Sequence, residues 1–223
     1  MKFPIPAYIF LGLFVVASIL QLIFAFIENQ RLRKKEKFLC LLMLGLAAIF
    51  AFPDHPLIYV GAFLGMIGDI LVLRTKTFVA GTISFLLGHL CYLFEAMSFI
   101  IGFQNIEVWQ GMVILATFIV IFAPMFYICL TKTKHSQTEI IGQSLYFSTQ
   151  FVYIPVFIFS IGTAGSYMYL CLAGAICFIL SDAILVYTHF LKKFKRYDFY
   201  IMLTYLIAEV LIVSGFVLTL AAR

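Results

Sequence analysis

The sequence predicts an all-α membrane protein built as a bundle of eight transmembrane helices in one polytopic domain, residues 1–223. Three observations predict this fold. Hydrophobic residues make up 64% of the chain and charged residues 11%, which is more apolar surface than a soluble domain can bury. The apolar residues form eight runs, most of them near the ~20 residues that a helix needs to cross the hydrocarbon core. The basic residues lie between these runs, in every second connection.

The eight apolar runs define the expected spans. The first is too long for the core of a signal peptide and no small-residue cleavage site follows it, so we expect it to be retained. The second is short and is separated from the third by the turn sequence FPDHP. If that hairpin does not cross, the number of spans falls to seven or six. The expected spans cover about residues 5–27, 38–53, 56–73, 78–102, 108–130, 140–161, 166–189 and 198–221.

Most Lys and Arg residues fall in the connections after spans one, three, five and seven. The positive-inside rule makes these connections cytoplasmic and both termini extracytoplasmic. The same topology explains the net charge of +5, so we expect no nucleic-acid partner. The four connections hold Arg31, Arg33, Lys34, Lys35 and Lys37, then Arg74 and Lys76, then Lys132 and Lys134, then Lys192, Lys193, Lys195 and Arg196, which leaves Lys2 and Arg223.

The cysteines and histidines predict neither a disulfide framework nor a metal site. The cysteines lie within apolar stretches without a CxxC pair, and the histidines lie on different elements without ligand spacing. We therefore expect no cofactor, and the oligomeric state is left open. The residues concerned are Cys40, Cys91, Cys129, Cys171 and Cys177, with His55, His89, His135 and His189.

Two apolar runs each carry a deep carboxylate. Asp69 lies in GAFLGMIGDILVL and Asp182 in GAICFILSDAILVY. A lone acid in hydrocarbon costs roughly 3 kcal/mol, so such a residue indicates function. Their distances from the next basic residues place both ~7 to 15 Å inside the cytoplasmic flank. We therefore expect a cavity open to the cytoplasmic leaflet, in which two carboxylates do paired acid and base work.

An offset of 113 residues relates Asp69 to Asp182 and suggests a 4+4 parallel repeat of spans. Chance is the other explanation, since few positions in apolar sequence match. The further matches are Gly61 with Gly174, Ala62 with Ala175 and Tyr92 with Tyr205.

Other polar residues share the depth of the aspartates. His89 and Tyr92 are i, i+3 neighbours in span four, and Tyr205 and Glu209 are i, i+4 neighbours in span eight, so each pair can face one cavity. Hydrogen bonding between packed helices is the alternative for these pairs.

Several glycines and polar residues in the same spans have simpler interpretations. Gly68 allows close approach beside Asp69, whereas Gly61 and Gly65 are interpreted as tight helix packing. Glu95, near the outer end of its span, is interpreted as snorkelling towards the interface. Tyr146 and Gln150 share a face of span six and are interpreted as hydrogen-bond partners between helices.

The stretches GMIGDILVL, GHLCY, FILSDAILVYTHF and TYLIAEVLI resemble the lysoplasmalogenase (YhhN-like) family of eight-span membrane proteins, over about residues 60–215. The resemblance implies that Asp69 and Asp182 are the two essential aspartates. It also implies cleavage of the vinyl ether of a lysoplasmalogen to a fatty aldehyde and a glycerophospho-base. Where the last span commonly reads Ala-Gln, this chain has Ala208-Glu209, an additional ionisable group.

Vinyl-ether hydrolysis suits two carboxylates. An acid protonates the carbon, water attacks the resulting oxocarbenium ion, and the hemiacetal collapses; glycosidases meet a similar cation with one protonated and one ionised carboxyl group. One aspartate would be the acid and the other the base, with Asp69 preferred as the acid. The residues expected to contact the lysophospholipid substrate are His89, Tyr92, Tyr205, Glu209, Ser181, Gly68 and Lys37. Lys37 and the Lys192 to Arg196 cluster would hold its phosphate, although topology alone also accounts for their charges.

Three other classes compete with this hypothesis. Paired membrane acids are also typical of proton-coupled transporters or channels. An intramembrane aspartyl protease carries Gly-x-Gly-Asp, but Met66 replaces the first glycine here and no Pro-Ala-Leu follows. A purely structural role gives no reason for two deep aspartates. In every case we expect a multi-pass protein of a bacterial inner membrane or of the endoplasmic reticulum.

Overall fold

The computed structural model describes residues 3–73, 75–100, 106–132 and 136–222, which form eight α-helices and one short 3₁₀ helix without any strand. The helices are α1 (Ile5–Phe26), α2 (Gln30–Ala51), α3 (Pro56–Leu71), α4 (Phe78–Phe99), α5 (Val108–Lys132), α6 (Gln137–Ala164), α7 (Met168–Phe190) and α8 (Tyr197–Ala221), with the 3₁₀ helix at Thr75–Thr77. The predicted topology also used Lys2, Arg74, Lys134 and Arg223, and the metal argument used His135; all five lie outside the described residues.

Six helices of this described part are long and apolar enough to cross a membrane: α1, α4, α5, α6, α7 and α8. The protein is therefore a multi-pass α-helical membrane protein. Helix α3 is equally apolar but has only 16 residues, and α2 begins with a run of charged residues. The number of eight spans, the orientation of the termini and the internal repeat stay predictions.

Helix α2 begins eight residues before the expected span, so residues 31–37, predicted as a loop between spans, are helical. Asn29 caps this helix, because its side-chain oxygen accepts a hydrogen bond from the Leu32 amide at 3.2 Å. The Lys, Arg and Glu residues that follow are good helix formers, so a charged stretch that reads as a loop by hydropathy continues the helix. Lys37 consequently lies on a regular helix and not in a mobile connection.

Consecutive helices pack as pairs, α1 with α2, α3 with α4, α5 with α6 and α7 with α8. Helix α6 also packs on α4 and α7, and α1 packs on α8. Helices α1 and α5 leave most of their side chains exposed, which in a membrane means contact with lipid. The interior is filled mainly from the remaining helices, and its largest fully buried side chains include Tyr92, Tyr153, Phe157, Phe178 and Phe216.

The interface of α3 with α4 depends on glycine. A Cβ on Gly88 would lie 2.9 Å from the backbone oxygen of Gly61, which cannot move without shifting the helix. We therefore expect Gly88→Ala to lower the free energy of unfolding by about 1 to 3 kcal/mol, measured by denaturation in detergent. Gly111→Ala in α5 is the control, since nothing lies within 4 Å of its Cβ position, and it should be neutral. Equal effects of the two changes would contradict this packing.

Candidate active site

Asp69 lies in the last turn of α3 and is almost completely buried. Its Oδ1 is 2.8 Å from Nζ of Lys37 on α2, and its Oδ2 accepts a hydrogen bond of 3.2 Å from the hydroxyl of Tyr205 on α8. A buried carboxylate requires a counter-charge or several hydrogen bonds, and this carboxylate has the counter-charge and one hydrogen bond. Three helices thus meet at one ion pair.

Asp182 lies in the middle of α7 and is equally buried, but its partners differ in kind. Its Oδ2 accepts a hydrogen bond of 2.6 Å from the hydroxyl of Tyr146 and another from the side-chain amide of Gln150. Both partners come from α6, where i, i+4 spacing places them on one face. Asp182 is therefore held by neutral donors, whereas Asp69 is held by a cation.

His89 on α4 supports the Asp182 side of the site. Its Nδ1 lies 2.6 Å from the Tyr153 hydroxyl, which itself donates to the backbone oxygen of His89 at 3.1 Å. Nδ1 therefore donates to Tyr153, and Nε2 accepts from Gln150 at 3.3 Å, an assignment made from the network. His89 holds the amide of Gln150 against Asp182.

A third buried carboxylate, Glu209 on α8, accepts a 2.9 Å hydrogen bond from the hydroxyl of Tyr92 on α4. The two side chains line a narrow internal cavity of about 10 Å³, together with His89 and Phe178. That volume is close to the minimum that holds one water molecule. His89, Tyr92 and Glu209, which the sequence predicted to face a cavity in two separate pairs, thus line the same cavity.

Two phenylalanines bridge the Asp69 and Asp182 sides. The Phe85 ring centroid lies 6.3 Å from the Tyr205 ring and 5.9 Å from the Tyr146 ring. The Phe178 ring lies 5.5 Å from Tyr205 and 4.6 Å from His89. The two carboxylates are connected through these rings and the side chains that hold them. They belong to one buried polar and aromatic cluster, with aromatic rings packed between their partners.

A larger cavity, of about 390 Å³, lies where α2, α6 and α8 begin and α3 and α7 end. We call it the end cavity. Lys37 lines it and also binds Asp69, so the end cavity leads to the Asp69 ion pair. Its charged lining residues are Arg33, Lys37, Glu139, Lys193 and Asp198.

Two of the residues expected to contact substrate, Gly68 and Ser181, make contacts between helices. A Cβ on Gly68 would lie 2.9 Å from the ring of Phe85, so the glycine makes room for that ring. The hydroxyl of Ser181 donates to the backbone oxygen of Ile201 at 3.1 Å and ties α7 to α8. These contacts direct both residues to neighbouring helices, and their contact with substrate stays a prediction.

The interpretation of Glu95 as snorkelling is wrong. Its side chain is buried and its carboxylate lies 2.7 Å from Nδ1 of His55, at the start of α3. The pairing occurs because α3 and α4 are antiparallel neighbours, which brings the end of one beside the start of the other. This pair lies at the opposite end of α3 from Asp69.

Sequence reasoning did not assign Tyr146, Gln150, Tyr153, Phe85 and Phe178 to the site. One signal was available for α6, because residues 146, 150 and 153 share a helical face. A second signal was the offset of 113 residues, since Gln150 follows Lys37 by the same interval that separates the two aspartates. The cation beside Asp69 and the amide beside Asp182 thus occupy matching sequence positions.

These features define a class of protein, a multi-pass helical membrane protein with carboxylates held inside its bundle. The model of the YhhN family matches residues 37–216, and the chain therefore belongs to the YhhN family. The match begins at Lys37 and includes both aspartates, and it confirms the family resemblance of the sequence. No curated protein and no solved structure matched the chain.

Proposed function

We propose that this protein is a lysoplasmalogenase, which hydrolyses the vinyl ether of lysoplasmenylethanolamine or lysoplasmenylcholine to a fatty aldehyde and a glycerophospho-base. The observation that carries the proposal is the unlike setting of two buried aspartates in one cluster. Asp69 is paired with the ammonium of Lys37, whereas Asp182 has only neutral donors. Family membership supports a hydrolase of this type.

The contacts favour Asp69 as the ionised carboxylate and Asp182 as the proton donor, the reverse of the preference from sequence. Lys37 supplies the counter-charge that an ionised carboxylate needs inside the bundle. No cation contacts Asp182 at comparable distance among the described residues. Acid and base chemistry by two carboxyl groups requires such a difference in setting.

The proposed reaction begins when Asp182 gives its proton to the vinyl carbon distant from the ether oxygen. An oxocarbenium ion forms, water adds to it, and Asp69 takes the proton that this water releases. In the resulting hemiacetal, ionised Asp182 accepts the hydroxyl proton while protonated Asp69 gives its proton to the departing glycerol oxygen. The carbon–oxygen bond breaks, aldehyde and glycerophospho-base leave, and both aspartates return to their starting states.

The residues around the two aspartates orient them, hold water and stabilise the cation in this proposal. The Tyr205 hydroxyl orients Asp69, and the cavity beside Tyr92 and Glu209 stores the attacking water. The faces of Phe85 and Phe178 stabilise the oxocarbenium cation through their ring quadrupoles. His89 acts as a positioning residue, because it reaches Asp182 through Gln150 and Tyr146 and not directly.

We further propose that the end cavity faces the cytoplasm, since the basic residues of the chain gather there. The lysophospholipid would then enter from the inner leaflet of a bacterial inner membrane or the cytoplasmic leaflet of the endoplasmic reticulum. The reaction as written uses no metal and no cofactor.

The activity is tested with purified protein, incubated with lysophospholipids that differ only in a vinyl-ether or ester linkage. We expect free aldehyde from the vinyl ether and no product from the ester. Absence of aldehyde from a folded preparation would overturn the proposal.

A proton-coupled transporter is the second candidate, because an open cavity leads directly to a buried ion pair. Proteoliposomes discriminate the two functions. Proton-driven solute flux without aldehyde release would support transport.

We expect Tyr146→Phe to lower kcat about tenfold or more with KM little changed, because the variant loses the 2.6 Å hydrogen bond that orients Asp182. Aldehyde release under saturating substrate measures the effect. Tyr187→Phe is the control, since Tyr187 is an exposed residue of the same helix as Asp182. A Tyr146→Phe enzyme with the wild-type kcat would remove Tyr146 from the machinery.

A further inference from the structure

The end cavity carries charges of both signs on separate helices. Lys37 and Arg33 project from α2 and Lys193 from the segment after α7, whereas Glu139 belongs to the first turn of α6 and Asp198 to that of α8. Its volume of about 390 Å³ falls within the range of small-molecule sites. A purely basic rim would suit any anion, but this lining also offers carboxylates.

Most of these charged side chains have a partner within the protein. Arg33 and Asp198 form an ion pair of 3.1 Å, with both side chains about nine-tenths buried. Nζ of Lys193 lies 5.7 Å from the ring centroid of Tyr197, which also lines the cavity. Lys37 closes the inner end through its ion pair with Asp69. The cavity lining therefore presents cationic and acidic side chains together, beside the ion pair of the proposed reaction centre.

We propose that the end cavity binds the zwitterionic head group of the lysophospholipid, with Lys193 and Lys37 on the phosphate and Glu139 on the terminal ammonium. This inference rests on the proposed function for the identity of the substrate. Only the glycerol separates the phosphate of such a lipid from its vinyl ether, so a vinyl ether beside Asp69 places the phosphate near Lys37. Charge complementarity across a site contributes specificity, because a wrong charge meets a like one.

Head-group recognition predicts a pattern across substrates that share one vinyl-ether chain. The probes are lysoplasmenylethanolamine, the corresponding alkenylglycerol phosphate, which lacks the amine, and the alkenylglycerol, which lacks both charges. We expect Lys193→Gln to raise KM several-fold for the two phosphate-bearing probes and to leave that for alkenylglycerol unchanged. We expect Glu139→Gln to raise KM for the ethanolamine lipid alone.

Lys192→Gln is the matched control. Both lysines are exposed and both belong to the basic cluster that the sequence assigns to the phosphate, but only Lys193 lines the cavity. It should behave as wild type with all three probes. If Lys193→Gln raises KM equally for charged and uncharged probes, or no more than Lys192→Gln does, the head-group site is overturned.

A binding measurement separates this inference from the reaction. The saturated 1-alkyl analogue of lysoplasmenylethanolamine has the same head group and no cleavable bond. If wild-type protein in nanodiscs binds it and Lys193→Gln weakens binding several-fold, the head-group site holds even where no aldehyde is released. If the analogue does not bind, or binds all variants alike while vinyl ethers are hydrolysed, the head-group site is wrong and the activity stands.

Discussion

Asp182→Asn is expected to lower kcat for vinyl-ether hydrolysis by about 10³-fold, the typical size of a general-acid contribution. The amide cannot give the proton that starts the reaction. Its oxygen can still accept from the hydroxyl of Tyr146 and the amide of Gln150, so the fold should survive. Aldehyde release by purified protein of verified helicity measures the effect.

The matched control for Asp182→Asn is Glu95→Gln. Glu95 is also a buried carboxylate, but it pairs with His55 at the far end of α3 and α4. We expect Glu95→Gln to retain kcat within about twofold of wild type, since it leaves the proton donor untouched. An Asp182→Asn enzyme as active as Glu95→Gln would exclude Asp182 as the acid.

Lys37→Met is expected to lower the free energy of unfolding by about 3 to 5 kcal/mol, because it leaves Asp69 buried without its counter-charge. Combining it with Asp69→Asn should recover most of that loss, since the uncompensated charge is then gone. Neither variant should hydrolyse vinyl ethers, because Asp69 is either displaced or absent as the base. Denaturation in detergent gives the stabilities and aldehyde release gives the activities.

Lys192→Met serves as the control for Lys37→Met, since Lys192 is exposed. It should be within about 0.5 kcal/mol of wild type. Equal losses for the two lysines, or a double variant no more stable than Lys37→Met, would show that the ion pair does not determine the stability of this region.

Hydropathy predicts the apolar helices of this fold well because membrane spans are long and nearly free of charge. Hydropathy fails at the start of α2 because the residues there are charged. Helix propensity and the Asn29 cap make this stretch helical. This error hides the pairing of Lys37 with Asp69, because a lysine in a loop would be expected to be a mobile surface charge. As a helix residue it reaches Asp69, and the preferred acid therefore changes from Asp69 to Asp182.

The two aspartates are predictable because an acid in hydrocarbon is costly and therefore rare. Their partners are less predictable, since a tyrosine or a glutamine in a span satisfies its hydrogen bonds with whichever helix lies opposite. Gln150 and Tyr146 meet Asp182 only because α6 packs on α7. Ser181 shows the converse, since it is adjacent to Asp182 in sequence but its hydroxyl donates to the backbone oxygen of Ile201 on α8.

The most direct measurement is the deuterium content of the aldehyde released from lysoplasmenylethanolamine in D2O, trapped at once by reduction to the alcohol. Protonation of the vinyl carbon by Asp182 predicts one solvent deuterium on the carbon next to the carbonyl for wild-type protein, and no product above background for Asp182→Asn. Aldehyde without that deuterium, or labelled aldehyde formed by Asp182→Asn at the wild-type rate, would contradict acid catalysis by the buried aspartate pair.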